Sequence, residues 1–433
     1  MSDNNAVLET VPVGRSAAMF TLTVTTMLYI INYMDRMVLS ATLPLIKQDL
    51  GLTDAQCGWL GTIYFIVVAV LTIPASILCD RWSRKKSLSL MALLWSAATF
   101  LSGAGSRFCH LFAARGGVGV GEAGFAPGGI AFVSGSFRES ERSKVIGVFN
   151  LGQPLGSILG VVLAGMIARS DFLGLGWRGP FYLFAIPGLL LGVLVLFAHD
   201  YPTESITYAG DRRLTVIQGL VKVFRTPTLI LTYLGVGAMS FVGGAVAHWL
   251  PTYFVRSRGI DVGSASLLMG GIIAFAVIGP IAGGIAADRW KKTRKNARPL
   301  AASLIALACG LFLYAGFMTD TAGYHDVSYG VFILVGILMF GYSAPAYSVS
   351  QDLVPRGMRS LSMGILVLIT YGTLAAYAPV VVGLLSDLLG AGGVPNLTAA
   401  FMFVPPVGFL GAGLFYLASR FHDRDMKKLT EEK

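Results

Sequence analysis

Long apolar runs separated by short polar segments, most of them basic, set the pattern of the chain. A hydrocarbon core of about 30 Å is crossed by about 20 apolar residues in helical form. Twelve runs fit that length, at approximately Ala17–Leu43, Ala55–Leu78, Leu88–Gly105, Leu111–Phe137, Val145–Ala168, Pro180–Phe197, Leu229–Phe254, Ser264–Ala287, Leu300–Met318, Tyr329–Val349, Leu361–Leu385 and Ala399–Ser419. The third and sixth are the shortest. The pattern predicts an all-α membrane protein of twelve transmembrane helices. The first run follows MSDNNAVLETVPVGRSAA without a convincing cleavage site, and it exceeds a leader's apolar core, so it reads as a retained span.

Charge orients the spans. Of the 33 Lys and Arg residues, most fall in alternate connections: Arg81–Lys86, Arg138–Lys144, Arg212–Arg225, Arg289–Arg298, Arg356–Arg359 and the tail from Arg420. The intervening connections hold only Lys47, Arg107, Arg169, Arg178, Arg256 and Arg258. By the positive-inside rule both termini are cytoplasmic.

Composition narrows the class further. The chain is 55% hydrophobic and 13% charged over 433 residues, against about 25% charged in a soluble domain. Its net charge of +10 reflects topology, and no basic soluble domain offers a nucleic-acid footprint. Cys57, Cys79, Cys109 and Cys309 lack pair spacing, and the five histidines are dispersed, so neither a metal site nor a cofactor is expected. There is no phosphate-binding G-x-x-x-x-G-K-[ST] and hence no ATP-driven engine.

CDRWSRKK begins at Cys79 and ADRWKKTRK at Ala287, after the second and eighth runs. The recurrence, about half a chain apart, predicts two pseudo-symmetric six-helix bundles facing a midplane cavity, the plan of a transporter. The expected division is 1–16 as a cytoplasmic segment, 17–198 and 228–420 as the bundles, 199–227 as a cytoplasmic linker and 421–433 as a tail. Acidic residues contribute little to orientation, so the aspartate leading each basic loop needs another role. A carboxylate can dock on the positive N-terminus of a neighbouring helix. The expectation is a cytoplasmic gate of Asp80, Arg81, Arg84, Asp288 and Arg289, with Asp80 capping the eleventh helix near Ser360 and Asp288 the fifth near Ser143.

ARGGVGVGEAGFAPGG, starting at Ala114, contains a G-x-G-x-x-G. A dinucleotide turn needs a preceding strand and a following helix in a βαβ unit. These glycines instead lie inside the fourth span, where small residues let helix backbones approach closely. The charges in the same run carry more meaning. An ionisable group at bilayer depth costs at least about 2.5–3.5 kcal/mol and usually faces a cavity or a partner. Arg115 and Glu122 share one helix face about 10 Å apart. Asp35 and Arg36, late in the first span, fall at a similar depth to Arg115. The alternatives are structural glue and a proton and substrate relay. In the relay, Glu122 is the first choice for the proton, Asp35 the second with Arg115 as its switchable partner, and Arg36 meets an anionic headgroup.

The second half lacks matching charges. His248, near Trp249 and Pro251, reads either as interfacial or as functional. Tyr342, Ser343, Tyr347 and Ser350, with Asn150, Gln153 and Tyr371, are candidate cavity residues. An uncharged half suits an amphipathic substrate, with its head on the N-terminal charges and its body on the C-terminal helices. Pro127, Pro154, Pro280, Pro345 and Pro379 interrupt their spans and predict kinks.

The loop between the second and third spans resembles the G-x-x-x-D-R-x-G-R-K signature of the major facilitator superfamily. Both glycines are serine in the first copy (Ser76, Ser83); the second keeps Gly284 and has Lys291 for the later one. Within that superfamily NYMDR (Asn32–Arg36), DRWSRKK (Asp80–Lys86), RGGVGVGEAG (Arg115–Gly124), NLGQPLG (Asn150–Gly156) and GWRGPFYLFAIPGLLL (Gly176–Leu191) resemble the spinster family, especially its bacterial members. The resemblance implies the same acid–arginine group and proton-coupled transport, by export or flipping, of an amphipathic lipid such as a lysophospholipid or sphingoid phosphate. NYMDR followed by LGLTDAQCGWL also resembles the organic anion–proton symporters of the superfamily. A membrane-embedded enzyme or a non-transporting receptor are the readings from other classes. The expected partners are the substrate, protons and membrane lipids, for a monomer spanning the inner (plasma) membrane many times.

Overall fold

The computed structural model describes residues 14–200, 216–354 and 358–431. Among the described residues the chain is nearly all helix, with one isolated bridge between Ala391 and Val394. The spans run in order as α1 (Arg15–Leu50), α2 (Asp54–Arg81), α3 (Arg84–Ala104), α4 with α5 (Phe108–Glu122, Phe125–Gly135), α6 with α7 (Glu139–Asn150, Gly152–Arg169) and α8 (Arg178–Leu194). A short helix, α9 (Val216–Arg225), precedes α10 (Pro227–Arg258), α11 with α12 (Val262–Ala276, Ile278–Lys291) and α13 (Ala297–Thr321). The last three spans are α14 with α15 (His325–Gly341, Ser343–Asp352), α16 with α17 (Arg359–Thr373, Ala378–Leu388) and α18 with α19 (Leu397–Phe401, Val404–Glu431). Eleven of these spans are long and apolar enough to cross a membrane as counted. The fourth is divided at Ala123–Gly124 and completes the predicted twelve. Several helices overrun the expected spans, α1 to Leu50 and α19 to Glu431, because helix continues past the apolar stretch.

The divisions have a common cause. A proline cannot bond to the carbonyl four residues earlier, and its ring clashes with it. Four residues before Pro127, Pro154, Pro280, Pro345 and Pro379 stand Ala123, Asn150, Ala276, Gly341 and Ala375, each at a break between helical segments. All five expected kinks are therefore present. Pro405 repeats the rule at Phe401, the end of α18.

Helix ends mark the internal repeat. Gly51 and Gly259 close α1 and α10 in the left-handed region, at φ 62° and 63°, where glycine carries no Cβ penalty. Thr53 then starts α2 with a capping box shared with Gln56, and Asp261 caps α11 through the Ser264 amide. The offset between the two glycines is the one that separates Asp80 from Asp288. It also relates Ser40 to His248, 208 residues apart, which touch each other across the two bundles.

Span four packs as its glycines require. A Cβ at Gly121 would lie 2.5 Å from the Trp95 amide nitrogen, and one at Gly119 would lie 2.9 Å from the Tyr64 carbonyl oxygen. The G-x-G pair thus presses α4 against α3 and α2. Tyr29 stacks on Phe149 at 4.4 Å inside the first bundle. Tyr253, Phe317, Phe332 and Phe401 form an aromatic core in the second.

Only part of the expected gate on the basic-loop face can be followed among the described residues. The side chains of Asp80 and Ser360 lie outside the described residues. Asp288 does not reach Ser143; its carboxylate accepts from Arg298 of its own bundle at 2.8 Å. Arg81 and Arg289 are exposed. Nearby, Asp352 accepts from Lys291 at 3.0 Å and from Arg298, so this cluster ties the second bundle to itself.

Candidate functional site

Helices α1 and α4 of the first bundle bring four charges together, and α2 and α3 supply hydroxyl partners. Arg36 on α1 donates from Nε to Glu122 Oε2 on α4 at 2.7 Å. Tyr64 on α2 donates to the same oxygen at 2.6 Å. Asp35, one residue before Arg36, turns the other way and accepts from Thr99 of α3 at 3.2 Å. Glu122 and Asp35 are fully buried as side chains or nearly so, while the Arg36 side chain keeps 21% of its surface. The arginines bracket one ring: Arg36 sits 5.4 Å and Arg115 5.5 Å from the Tyr64 centroid, and Arg36 also lies over Tyr33 at 4.3 Å. Cations over aromatic faces are attracted by the ring quadrupole, more so when desolvated.

The cluster is incompletely satisfied. Arg115 Nε and Nη1, Glu122 Oε1, Asp35 Oδ1 and both side-chain polar atoms of Asn32 are buried without a hydrogen-bond partner. Buried polar atoms in native proteins are generally paired, so unpaired ones concentrate where ligand, water or proton chemistry occurs. The expected switchable contact from Arg115 to Asp35 is absent from these donors; the ion pair that forms is Arg36 to Glu122.

Arg36 and Arg115 both face a cavity of about 230 Å³ between the bundles. Its first-bundle wall adds Tyr33, Ser40, Tyr64, Phe65 and Gln153; the second bundle supplies Met239, Gly243, Gly244, His248, Tyr342 and Tyr371. Of the residues picked from sequence, Arg36, Arg115, Gln153, His248, Tyr342 and Tyr371 line it. Glu122 and Asp35 sit behind the wall, reached through Arg36 and Arg115. Asn150 is exposed away from the cavity. Tyr347 opens onto a separate recess with Arg298, Gln351, Asp352 and Arg359. Ser343 bonds to the Phe340 carbonyl, and Ser350 is tied to Tyr233 and Ser362 inside the bundle. Tyr33, Tyr64, Phe65 and Thr99 escaped the sequence reading. A tyrosine in an apolar span gives no signal of its own, and only the fold sets Tyr64 against Glu122.

On the face away from the basic loops the bundles are locked together. Asp54, at the start of α2, receives both Arg256 nitrogens at 2.7 Å, Lys47 at 2.5 Å and Ser386 at 2.6 Å, and its side chain is fully buried. Asp387 at the end of α17 accepts from the Asp54 and Ala55 amides at 3.1 and 2.7 Å, capping α2 from the other bundle. Backbones meet closely beside this pair: a Cβ at Gly58 would lie 2.3 Å from the Pro379 carbonyl, and one at Gly383 would lie 2.2 Å from that of Asp54. His248 Nε2 reaches the Cys57 carbonyl at 3.2 Å, and Ser40 donates to the Ala247 carbonyl at 2.5 Å. Toward the basic loops the packing changes. α7 lies along α11, with no comparable packing between α6 and α12 among the described residues.

Two six-helix bundles around a charged cavity, sealed on one face, define a secondary membrane transporter. The sequence matches the Major Facilitator Superfamily profile over residues 25–379, and the chain belongs to that superfamily. Its family and fold are those of transporters, which excludes an enzyme. Among relatives, it is 29% identical to Protein spinster homolog 1 of Xenopus tropicalis over 92% of this chain and 80% of that protein. It is 28% identical to the Hexuronate transporter of Bacillus subtilis (strain 168) over 87% of this chain and 92% of that one. The Sphingosine-1-phosphate transporter SPNS2 of Mus musculus shares 25% identity over 90% of this chain and 75% of its own. In fold, the chain is similar to a bacterial homolog of the human lysosomal transporter Spinster, solved in an inward-facing and unoccupied conformation. The TM-score is 0.80 at 20% identity, over 97% of this chain and 99% of that one.

Proposed function

We propose that this multi-pass membrane protein is a proton-coupled transporter of amphipathic anions, of the lysophospholipid or sphingoid-phosphate class, working by alternating access in the inner membrane. The observation that carries the reading is the shared oxygen of Glu122, which binds Arg36, a cavity-lining cation, from behind the wall. Protonating Glu122 removes the charge that holds Arg36. The freed guanidinium then offers its fork to an anionic headgroup, with Arg115 as the second cation. By linkage, each partner raises the affinity for the other: proton on Glu122, anion on Arg36. Asp35 is the reserve carboxylate, poised to take Arg115.

The basic loops favour both termini in the cytoplasm, with bundles at 17–198 and 228–420. The cavity then opens inward, and Asp54–Arg256 is the closed outer lock. When the outer lock parts, Asp80, Arg81, Arg84, Asp288 and Arg289 become the inner gate. The working unit is one chain. The similarity to a hexuronate transporter favours a second reading, an organic anion–proton symporter using the same two arginines.

Reconstitution into liposomes with an imposed pH gradient tests both, with lysolipids set against hexuronates. Wild-type flux follows the gradient. Glu122→Gln keeps substrate binding and loses gradient-driven flux; gradient-driven flux at the wild-type rate in that variant removes Glu122 from the mechanism.

A further inference from the structure

The seam between the bundles is rich in glycine, and nearly every such glycine has an evident reason. Gly58 and Gly383 abut backbone, and a Cβ at Gly61 would lie 2.7 Å from the His248 ring. Gly243 and Gly244 break this rule. They lie in the interior of α10, where glycine is less favourable than alanine. Yet a Cβ at Gly243 would meet only Met339, at 3.7 Å, and one at Gly244 only Ala378 at 3.4 Å and the Ala375 carbonyl at 3.6 Å. These are ordinary contacts, so neither position needs glycine for packing. Both residues instead line the central cavity.

The repeat sharpens the point. At the offset relating Ser40 to His248, Gly243 and Gly244 are the counterparts of Asp35 and Arg36. Where one bundle places an acid and its cavity-lining arginine, the other presents bare backbone. The surroundings are apolar and adaptable: Met239 stands one turn before Gly243, and Met339 and Phe340 face it from span ten. Methionine is unbranched and polarizable, and fills irregular gaps around varied shapes.

We propose that Gly243 and Gly244 form a bay that receives the apolar body of the substrate and so set how long or bulky that body can be. The proposal rests on the transport reading above, and it places the two ends of the substrate on repeat-related positions, head at Arg36 and chain at Gly243–Gly244. The bay is a specificity element and takes no part in handling the proton.

The test uses the reconstituted full chain with three probes: oleoyl-lysophosphatidate, octanoyl-lysophosphatidate and glucuronate. The variants are Gly243→Ala, Gly244→Ala and Gly244→Leu, each checked for a monodisperse gel-filtration profile. The alanine variants narrow the bay by one methyl group each and stiffen the helix; oleoyl flux should fall relative to octanoyl and glucuronate flux, by less than in Gly244→Leu. Gly244→Leu should lower oleoyl flux about tenfold or more while leaving glucuronate within about twofold, the scale on which a filled apolar pocket discriminates. Equal loss across all probes in Gly244→Leu overturns the bay. So does a general slowing in the alanine variants, which would mark a hinge in α10. A wild type that moves glucuronate alone overturns the bay and leaves an organic-anion transporter standing. One that moves none of the three ends the transport reading and the bay with it.

Discussion

Glu122 carries two donors on Oε2 and none on Oε1, so its partners are few enough to be tested one at a time. Breaking a buried ion pair by removing one member is strongly destabilising, because the other charge is left uncompensated. A hydrogen bond to a charged group contributes roughly 1.5–3 kcal/mol. Tyr64→Phe should therefore lower the thermal unfolding midpoint in detergent, and the loss should shrink in a Glu122→Gln background, where the acceptor is neutral. A double-mutant cycle reads that difference directly. Outside the membrane, Asp261 caps α11 through the Ser264 hydroxyl and amide, and these bonds hold its carboxyl below the usual carboxylate range. With the folded-state value depressed, the contribution is present at neutral pH and fades as pH falls below about 4. Asp261→Ala should cost about 1 kcal/mol at pH 7 and less in acid, measured by unfolding at the two pH values. At this scale the sequence exposed four charges within spans one and four, because a charge among apolar residues is conspicuous. It did not reveal which acid takes which base. Arg36 and Glu122 are 86 residues apart, and their pairing depends on how α1 and α4 turn about their axes.

The interrupted helices were legible because proline acts locally: the missing bond always falls four residues back. The glycines of span four were legible as a thin helix for a similar reason. The close seam between α2 and α17 was not, since Gly58 and Gly383 belong to helices whose contact is set by tertiary structure. Enlarging one of them probes that seam. Gly383→Val would drive a side chain into the Asp54 carbonyl, and overpacking of this kind costs roughly 1–3 kcal/mol. The strain bears only on the state in which this seam, on the face away from the basic loops, is closed. The expected outcome is faster labelling of Cys57, which is fully buried beside His248, by a membrane-impermeant maleimide in a Cys109→Ser background.

For the whole molecule, the sequence forecast helix ends capped by aspartates from the opposite bundle on the basic-loop face, where the side chains of Asp80 and Ser360 lie outside the described residues. Among the described residues a cap of this kind stands on the other face, where Asp387 meets α2. Asp54 and Arg256 drew no attention because each looked ordinary in its own segment: an acid in a first helical turn and a base in an outer connection. They lie 202 residues apart, so only the closed fold makes them partners. Asp54→Asn should leave Arg256 and Lys47 with a neutral acceptor and weaken the lock. Cys57 labelling should rise, and Arg256→Gln should raise it to a similar degree, with little further gain in the double variant. Unchanged labelling in all three would show that the close glycine seam alone holds this face shut.

The backbone breaks carry one more consequence. They recur in spans four and ten and in spans five and eleven, related positions in the two bundles, whereas the two arginines that line the central cavity both belong to the first. Duplication thus preserved compliance on both sides and let the chemistry diverge. On the proposed mechanism, a proton event at Glu122 in the first bundle would therefore be answered by bending at matched breaks in both bundles.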